Sequence, residues 1–416
     1  MRKNLIVALA IASLALFSAG CRRVPESDPG FSAVDPQIAG AIVGIQAIDN
    51  HAHPVRPSAP AEAPDRDFDA LPVDNLEAQF DPVRLRAGSP EIQQAHRALA
   101  RAERSPVQML DQLGIAVMIA NRVTMGPGLP PNRFRWVPYA DALMYPLANE
   151  SMIHNSDQRA FFALEEKLLK RYYADLDISG RPASLDDYLA KLVRPTLARQ
   201  KQDGAIAEKF EMAYLRPLDI SNPTKEQAEA AWAGHGDYKA LQDYIFRFIA
   251  AECGRLGMAV HIHSNAGSGS YFNVAGVNPM LYEPLLDDPA LRKTNFVFLH
   301  GGWPFTRELT ALLTKPNVYL DFSDLDLILY PSELARTIRA WLEFVPEKIL
   351  FATDAYPYSA DVGWEESAYV AAKTGREALG LALTGMMQDG EIDRARALEL
   401  ARMVLRDNAR ALYKLP

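Results

Sequence analysis

Short apolar runs rich in Val, Ile, Phe and Ala recur along this chain, each followed by a longer stretch whose apolar residues return every three or four positions. The first pattern has the length and composition of a buried strand, the second the period of an amphipathic helix. The runs predict strands over 46–50, 115–121, 135–139, 205–213, 258–263, 295–300, 317–321 and 348–353. Strands alternating with helices argue for a parallel sheet, and eight such units predict an α/β fold of the (β/α)8, or TIM-barrel, kind. Three stretches break the rhythm. An insertion after the first strand, roughly 54–105, begins rich in Pro and Ala and becomes helical near 90–104. A helical excursion over 157–202 precedes the fourth strand, and a helical tail runs from 367 to 413 with Gly390 dividing it. Long connections at the strand-end face of a barrel commonly form lids, so the first two are expected to cover a site and set its specificity.

Residues 1–20 follow a different pattern. Arg2 and Lys3 precede an apolar stretch over 5–17, and Ser18-Ala19-Gly20 supplies small residues ahead of Cys21. That is the form of a secretory signal, too short for a membrane-spanning helix. A Cys after Ala-Gly resembles a bacterial lipobox, which implies a lipidated Cys21 at the mature N-terminus. A Pro- and Ser-rich tether over 21–35 would then join it to a barrel over 36–416. The expected location is the bacterial cell envelope, as a membrane lipoprotein. Arg22 after the Cys favours the outer membrane by resemblance to bacterial sorting patterns.

Composition narrows the function. The chain has 416 residues, 49% of them hydrophobic, enough for one large core. A formal charge of −8 and a pI near 5.6 exclude a nucleic-acid surface, which needs a clustered positive field. The expected partner is a small-molecule substrate. The chain has 2 Cys; with Cys21 lipidated, no disulfide framework is available. Cys253, in an apolar helical pattern, reads as a buried small hydrophobe.

The candidate chemistry lies at the ends of the predicted strands. In Ile48-Asp49-Asn50-His51-Ala52-His53 the two imidazoles are two residues apart, so on a strand they share a face and can grip one divalent ion. Asp49 is expected on the same face but deeper, orienting the ligands through hydrogen bonds. His261 and His263 end the fifth strand, His300 the sixth and Asp354 the eighth, so five of the 8 His fall where barrel enzymes place their sites. His96, His154 and His235 sit in polar sequence and are assigned no role. Of the strand-5 pair, His263 lies nearer the mouth and is favoured as the ligand. Lys209 shares an inward strand face with Ala205, Ala207 and Glu211, where an ammonium is costly unless it meets charge. Arg216, just past that strand, could grip a substrate carboxylate or form a structural ion pair. Trp303, Tyr214 and Tyr356 follow ligand-bearing strands and line a pocket or simply pack.

The order His-x-His, His, His, Asp on strands 1, 5, 6 and 8 resembles the amidohydrolase superfamily, in particular its amidohydrolase-related (amidohydrolase 2) family. The segments HSNAGSGSYFNVAGVNP after His263, FVFLHGGWPFTRE around His300, NVYLDFS and the ending DNARALYKL share in the likeness, which spans roughly 48–415. The resemblance implies a metal-dependent barrel with His51, His53, His263, His300 and Asp354 as ligands of one or two ions, zinc foremost. It also implies Lys209 in the position of a lysine that reacts with carbon dioxide and bridges two ions as a carbamate. The alternative is a plain Lys209 that contacts substrate or pairs with Glu211. Asp354 is expected to take the proton of the attacking water, and His300 to polarise the substrate carbonyl or, with two ions, to ligate. The expected function is hydrolysis of an amide, peptide or ester, with C–N cleavage favoured. Metal-dependent decarboxylation and a non-catalytic surface lipoprotein are the alternatives.

Overall fold

The structure, a computed structural model, describes residues 33–58, 65–70, 90–99, 105–267, 269, 271–358 and 362–416. The signal segment and Cys21 lie outside these residues, as does most of the 54–105 insertion. Among the described residues no helix is long and apolar enough to cross a membrane.

The described residues form eight parallel strands: β1 (Ala47–Ala52), β2 (Ile115–Asn121), β3 (Phe134–Val137), β4 (Ala207–Phe210), β5 (Ala259–His263), β6 (Phe296–Leu299), β7 (Val318–Asp321) and β8 (Ile349–Leu350). They form two ladders, β1-β2-β3 and β4 through β8 in order. Single bridges join the ladders into a barrel. Trp136 pairs with Ala205 and Tyr139 with Lys209 on one side, and Ala52 with Ala355 on the other. The second seam is carried by backbone bonds from Asn50 to Phe351 (2.9 Å), Asp354 to His51 (2.9 Å) and His53 to Ala355 (2.8 Å). All eight predicted strands are found, and the fold is the expected (β/α)8 barrel. β4 and β8 fall furthest short of their apolar runs. β4 gives way at Glu211 to a 3-10 turn, Met212–Tyr214, and β8 leaves its partner β7 after Leu350, though the chain beyond stays bonded to β1.

Local sequence explains how helices deliver strands. Helix Pro106–Leu113 starts with a reciprocal Ser105–Gln108 capping box and ends at Gly114. Gly114 takes φ 65°, a left-handed conformation that costs glycine little, and β2 begins at the next residue. Helix Tyr238–Leu256 is capped by Asp237 and stopped by Gly257 at φ 67° just ahead of β5. Its buried stripe of Leu241, Ile245, Phe246, Ile249 and Cys253 faces the barrel, so Cys253 is packing, as expected.

Ile48, Val137, Ala207, Ala259, Val297 and Leu350, one from each of six strands, belong to one buried apolar cluster. Ala409 and Leu415 of the C-terminal tail join this cluster. From the same tail the Tyr413 hydroxyl reaches inward, donating to Asn50 Oδ1 (2.6 Å) and lying 2.7 Å from His261 Nε2. The tail helices, Trp364–Gln388, Arg394–Arg402 and Asn408–Tyr413, separate at Gly390 as the sequence indicates. The excursion is helical too: Ser156–Asp175, then Leu185–Tyr188 passing through a π turn into Arg194–Gln202. Its first helix stands at the strand-end face, with Phe161 against Tyr214 and Gln158 Nε2 donating to the Leu215 carbonyl (3.2 Å).

β1 departs from simple alternation. Between the pairs Asp49–Met118 and Ala52–Ala120 it carries one residue more than β2, a bulge that re-aims the side chains around it. Asn50 therefore enters the barrel interior, where it donates to Asp321 Oδ2 (2.7 Å), and His51 follows it to the mouth. Asp49 does not lie beneath His51 on one face. It binds the Thr353 backbone N–H (3.0 Å) and hydroxyl (2.6 Å) and, at 3.3 Å, the His51 backbone N–H. Asp49 thus ties the backbone of β1 at His51 to the chain after β8 at Thr353, rather than orienting any imidazole. Burial raises its pKa to about 7.

Candidate metal centre

The C-terminal mouth of the barrel gathers the residues that the sequence singles out. His51, His300 and Asp354 each offer a ligand atom within 4.8 Å of the others. Asp354 Oδ1 lies 3.1 Å from His51 Nε2 and 3.4 Å from His53 Nε2, and its Oδ2 lies 3.9 Å from His300 Nδ1. The His263 ring is 4.7 Å from that of His300. Lys209 Nζ stands 3.4 Å from His51 Nε2 and 3.4 Å from Glu211 Oε1. Every one of these residues is buried except Asp354, whose side chain keeps 14% of its surface open. His261 lies deeper, tied to Tyr413, and His263 is the strand-5 histidine that reaches the cluster.

Charge favours lone pairs at this mouth. Burial, and then the Lys209 cation, hold the His51 pKa well below its ordinary value. Burial and His300 do the same for His263, and burial lowers His300 to about 4. Neutral imidazoles are the ligand form. Burial would raise Asp354, but His300 and the hydrogen bonds from His51 and His53 keep it well below the usual carboxylate range. His53 is the exception: burial opposes its protonation, yet Asp69 and Asp354 outweigh burial and raise its pKa. A place that holds a proton between two carboxylates attracts a metal cation in the same way. His51 Nδ1 is buried with no hydrogen-bond partner among the described residues. Imidazole nitrogens and a carboxylate converging in a buried cleft fit a divalent ion of the zinc type.

The backbone is bent to make the cluster. His300 has φ 62° and Asp354 φ 48°, the left-handed region that costs a side-chain-bearing residue of order 1–3 kcal/mol. His300 is held there by a bond from its N–H to Asp321 Oδ1 (2.9 Å), and its Nδ1 lies 2.9 Å from the Ser323 hydroxyl. Ser323 donates in turn to Asp321 (2.7 Å). Tyr214 and Phe272 pack beside His263, and Tyr356 on His53 (ring centroids 5.3 Å). Trp303 packs partly buried against the main core.

Arg216 is the correction. Its guanidinium meets Asp243 Oδ1 (2.7 Å), Gln242 Oε1 (2.9 Å) and the Asp219 carbonyl (2.8 Å), and the residue is buried. It is the structural ion pair of the two readings, locking the loop after β4 to helix Tyr238–Leu256, and its donors are committed there. Three contributors escaped the sequence reading. Asp69 and Tyr139 meet behind His53: the Tyr139 hydroxyl donates to Asp69 and lies 3.3 Å from His53 Nδ1. Asp141 takes the Glu211 backbone N–H on both oxygens (2.8 Å each). Burial pushes Asp141 up to about 8 and Glu211 up to about 7. No local motif marks any of them.

A closed parallel barrel with imidazoles and a carboxylate converging at its C-terminal mouth defines the class: a TIM barrel whose strand ends carry a His/Asp cluster able to hold a metal ion. The amidohydrolase family model matches residues 226–415, the C-terminal part of the barrel. The chain is also 25% identical over 272 residues to Protein fluG of Emericella nidulans, an alignment covering 63% of this chain and 29% of that protein. The chain therefore spans less than a third of that relative's length. Among solved structures it resembles a Lactobacillus casei protein described as a metal-dependent hydrolase (18% identity, TM-score 0.63, 91% of this chain and 97% of that one). It also resembles glucuronate isomerase from Caulobacter crescentus (14% identity, TM-score 0.60, 94% and 95%). At these identities the likeness establishes the fold.

Proposed function

We propose that the chain is a metal-dependent hydrolase that cleaves the C–N bond of an amide or peptide, with an ester as the nearest variant. The observation that carries this reading is the convergence of His51, His53, His263, His300 and Asp354, with Lys209, at the barrel mouth. These residues would hold one or two divalent ions, zinc being the best match to the donor set, with Lys209 joining as a carbamate in the two-ion form. Such an ion, when bound, supplies a water with its pKa lowered from about 15.7 to about 7 and a polarised substrate carbonyl. Asp354, ionised and partly open, accepts the proton of the attacking water and passes it to the leaving amine. His300, fixed by Ser323 and Asp321, steadies the carbonyl oxygen in the one-ion form and acts as a ligand in the two-ion form. Tyr214, Phe272 and Tyr356 wall the cleft with apolar surface.

Assay of the zinc-loaded protein against amides, dipeptides, esters, lactones and carboxylated aromatic rings tests the reaction class. Turnover is expected among the C–N substrates. Carbon dioxide release from the rings, with no hydrolysis anywhere in the panel, would replace this reading by decarboxylation.

The sequence before the barrel supports a lipid anchor at Cys21 in the cell envelope. A Cys21→Ser variant is expected to become soluble and to lose incorporated lipid. Native protein that carries no lipid label, and partitions as the variant does, would remove the anchor.

A further inference from the structure

The 54–105 insertion carries no motif, yet its described segment Asp65–Ala70 is built into the barrel mouth with unusual firmness. Arg122, buried at the end of β2, makes a two-pronged pair with Asp65 (2.9 and 3.0 Å) and donates to the Pro54 carbonyl. The Arg56 N–H also binds Asp65 (2.8 Å), and the Val123 N–H binds the Asp67 carbonyl (3.0 Å). Paired, planar contacts of this kind fix position as well as energy. Four residues after Asp65 the segment sets Asp69 behind His53. Asp69 Oδ2 is 3.7 Å from His53 Nδ1, and Asp69 Oδ1 receives the Tyr139 hydroxyl proton. The Tyr139 oxygen, its proton so engaged, faces His53 Nδ1 at 3.3 Å with lone pairs. The opposite ring nitrogen, Nε2, faces Asp354.

We infer that Asp69 and Tyr139 are positioning residues: together they hold the proton of His53 on Nδ1 and so present the Nε2 lone pair to the metal. The inference rests on the proposed metal site and deepens it. The insertion supplies part of the ligand-orienting machinery, and the Arg122–Asp65 clamp holds it in register. Partners of this kind, hydrogen-bonded to a ligand, typically change metal affinity 10–100-fold.

Zinc affinity measured by chelator competition on the full chain tests this in Asp69→Asn, Tyr139→Phe, the double variant and His53→Ala. Each single variant is expected to bind zinc about 10–100-fold more weakly than native. The double is expected to be little worse than the weaker single, because both act through one hydrogen bond. Cobalt-loaded Tyr139→Phe should also show an altered visible spectrum, which an effect on folding alone would not give. Nitrogen-15 NMR of zinc-loaded native protein needs no variant and should find the His53 proton on Nδ1. A proton on Nε2, or single variants within about threefold of native while His53→Ala has lost zinc, overturns the inference. Native-like zinc binding by His53→Ala would instead sink the metal reading, and this inference with it.

Discussion

An Asp354→Asn protein is expected to take up metal yet turn over its substrate about 10²–10⁴-fold more slowly, the usual contribution of a general acid–base group. Asn keeps the shape of the side chain and one oxygen that can face His51 and His53, which lie 3.1 and 3.4 Å from Asp354 Oδ1. What it loses is the capacity to accept a proton. Before a metal binds, His300 and hydrogen bonds from the two histidines hold Asp354 ionised against the cost of burial, and a bound cation in place of those protons favours the same ionised form. The check is turnover measured on variant and native protein of equal metal content. Activity within about tenfold of native would remove Asp354 from the proton path.

The second large effect concerns Lys209, which decides between one ion and two. Lys209→Ala is expected to lower metal content from about two equivalents to one or fewer. A short carboxylic acid added in excess should restore part of the activity by filling the vacated space. The argument is electrostatic. Lys209 Nζ sits 3.4 Å from His51 Nε2, inside the ligand cluster. An ammonium at about 4 Å from a cation, at an effective dielectric near 20, opposes it by about 4 kcal/mol per unit of charge. A carbamate reverses the sign and offers two oxygens. The competing arrangement is the pair with Glu211, 3.4 Å away, and the geometry is compatible with both. Protein prepared with bicarbonate and excess metal decides the matter. Saturation at one equivalent with a plain lysine side chain would leave Lys209 as a substrate-contacting residue.

The barrel was legible because parallel strands are buried on both faces and read as apolar runs, and the first, fifth, sixth and eighth runs lead straight into the residues that matter. His51, His53, His263, His300 and Asp354 needed only that rule and strand alternation to be gathered at one mouth. What alternation cannot show is the extra residue in β1, since a bulge is a relation between two strands; alternation alone puts Asp49 under His51. The left-handed turns at His300 and Asp354 were equally hidden, because nothing about His or Asp announces a positive φ. Arg216 could by its sequence meet either a substrate carboxylate or a structural one, and the fold gives it Asp243, next to Gln242, in helix Tyr238–Leu256. Asp69 and Tyr139 lie 70 residues apart, one in a Pro- and Ala-rich insertion without periodicity. Only the folded chain brings them behind His53.

Elemental analysis of purified protein is the most direct test of the metal centre. Native chain should carry at least about one equivalent of zinc, manganese or iron, and the His51→Ala/His53→Ala double variant should lose most of it. Those two imidazoles both meet Asp354 Oδ1, at 3.1 and 3.4 Å. Stoichiometric metal retained by a folded double variant, or native protein that takes up none from excess zinc, would contradict a metal site at this mouth.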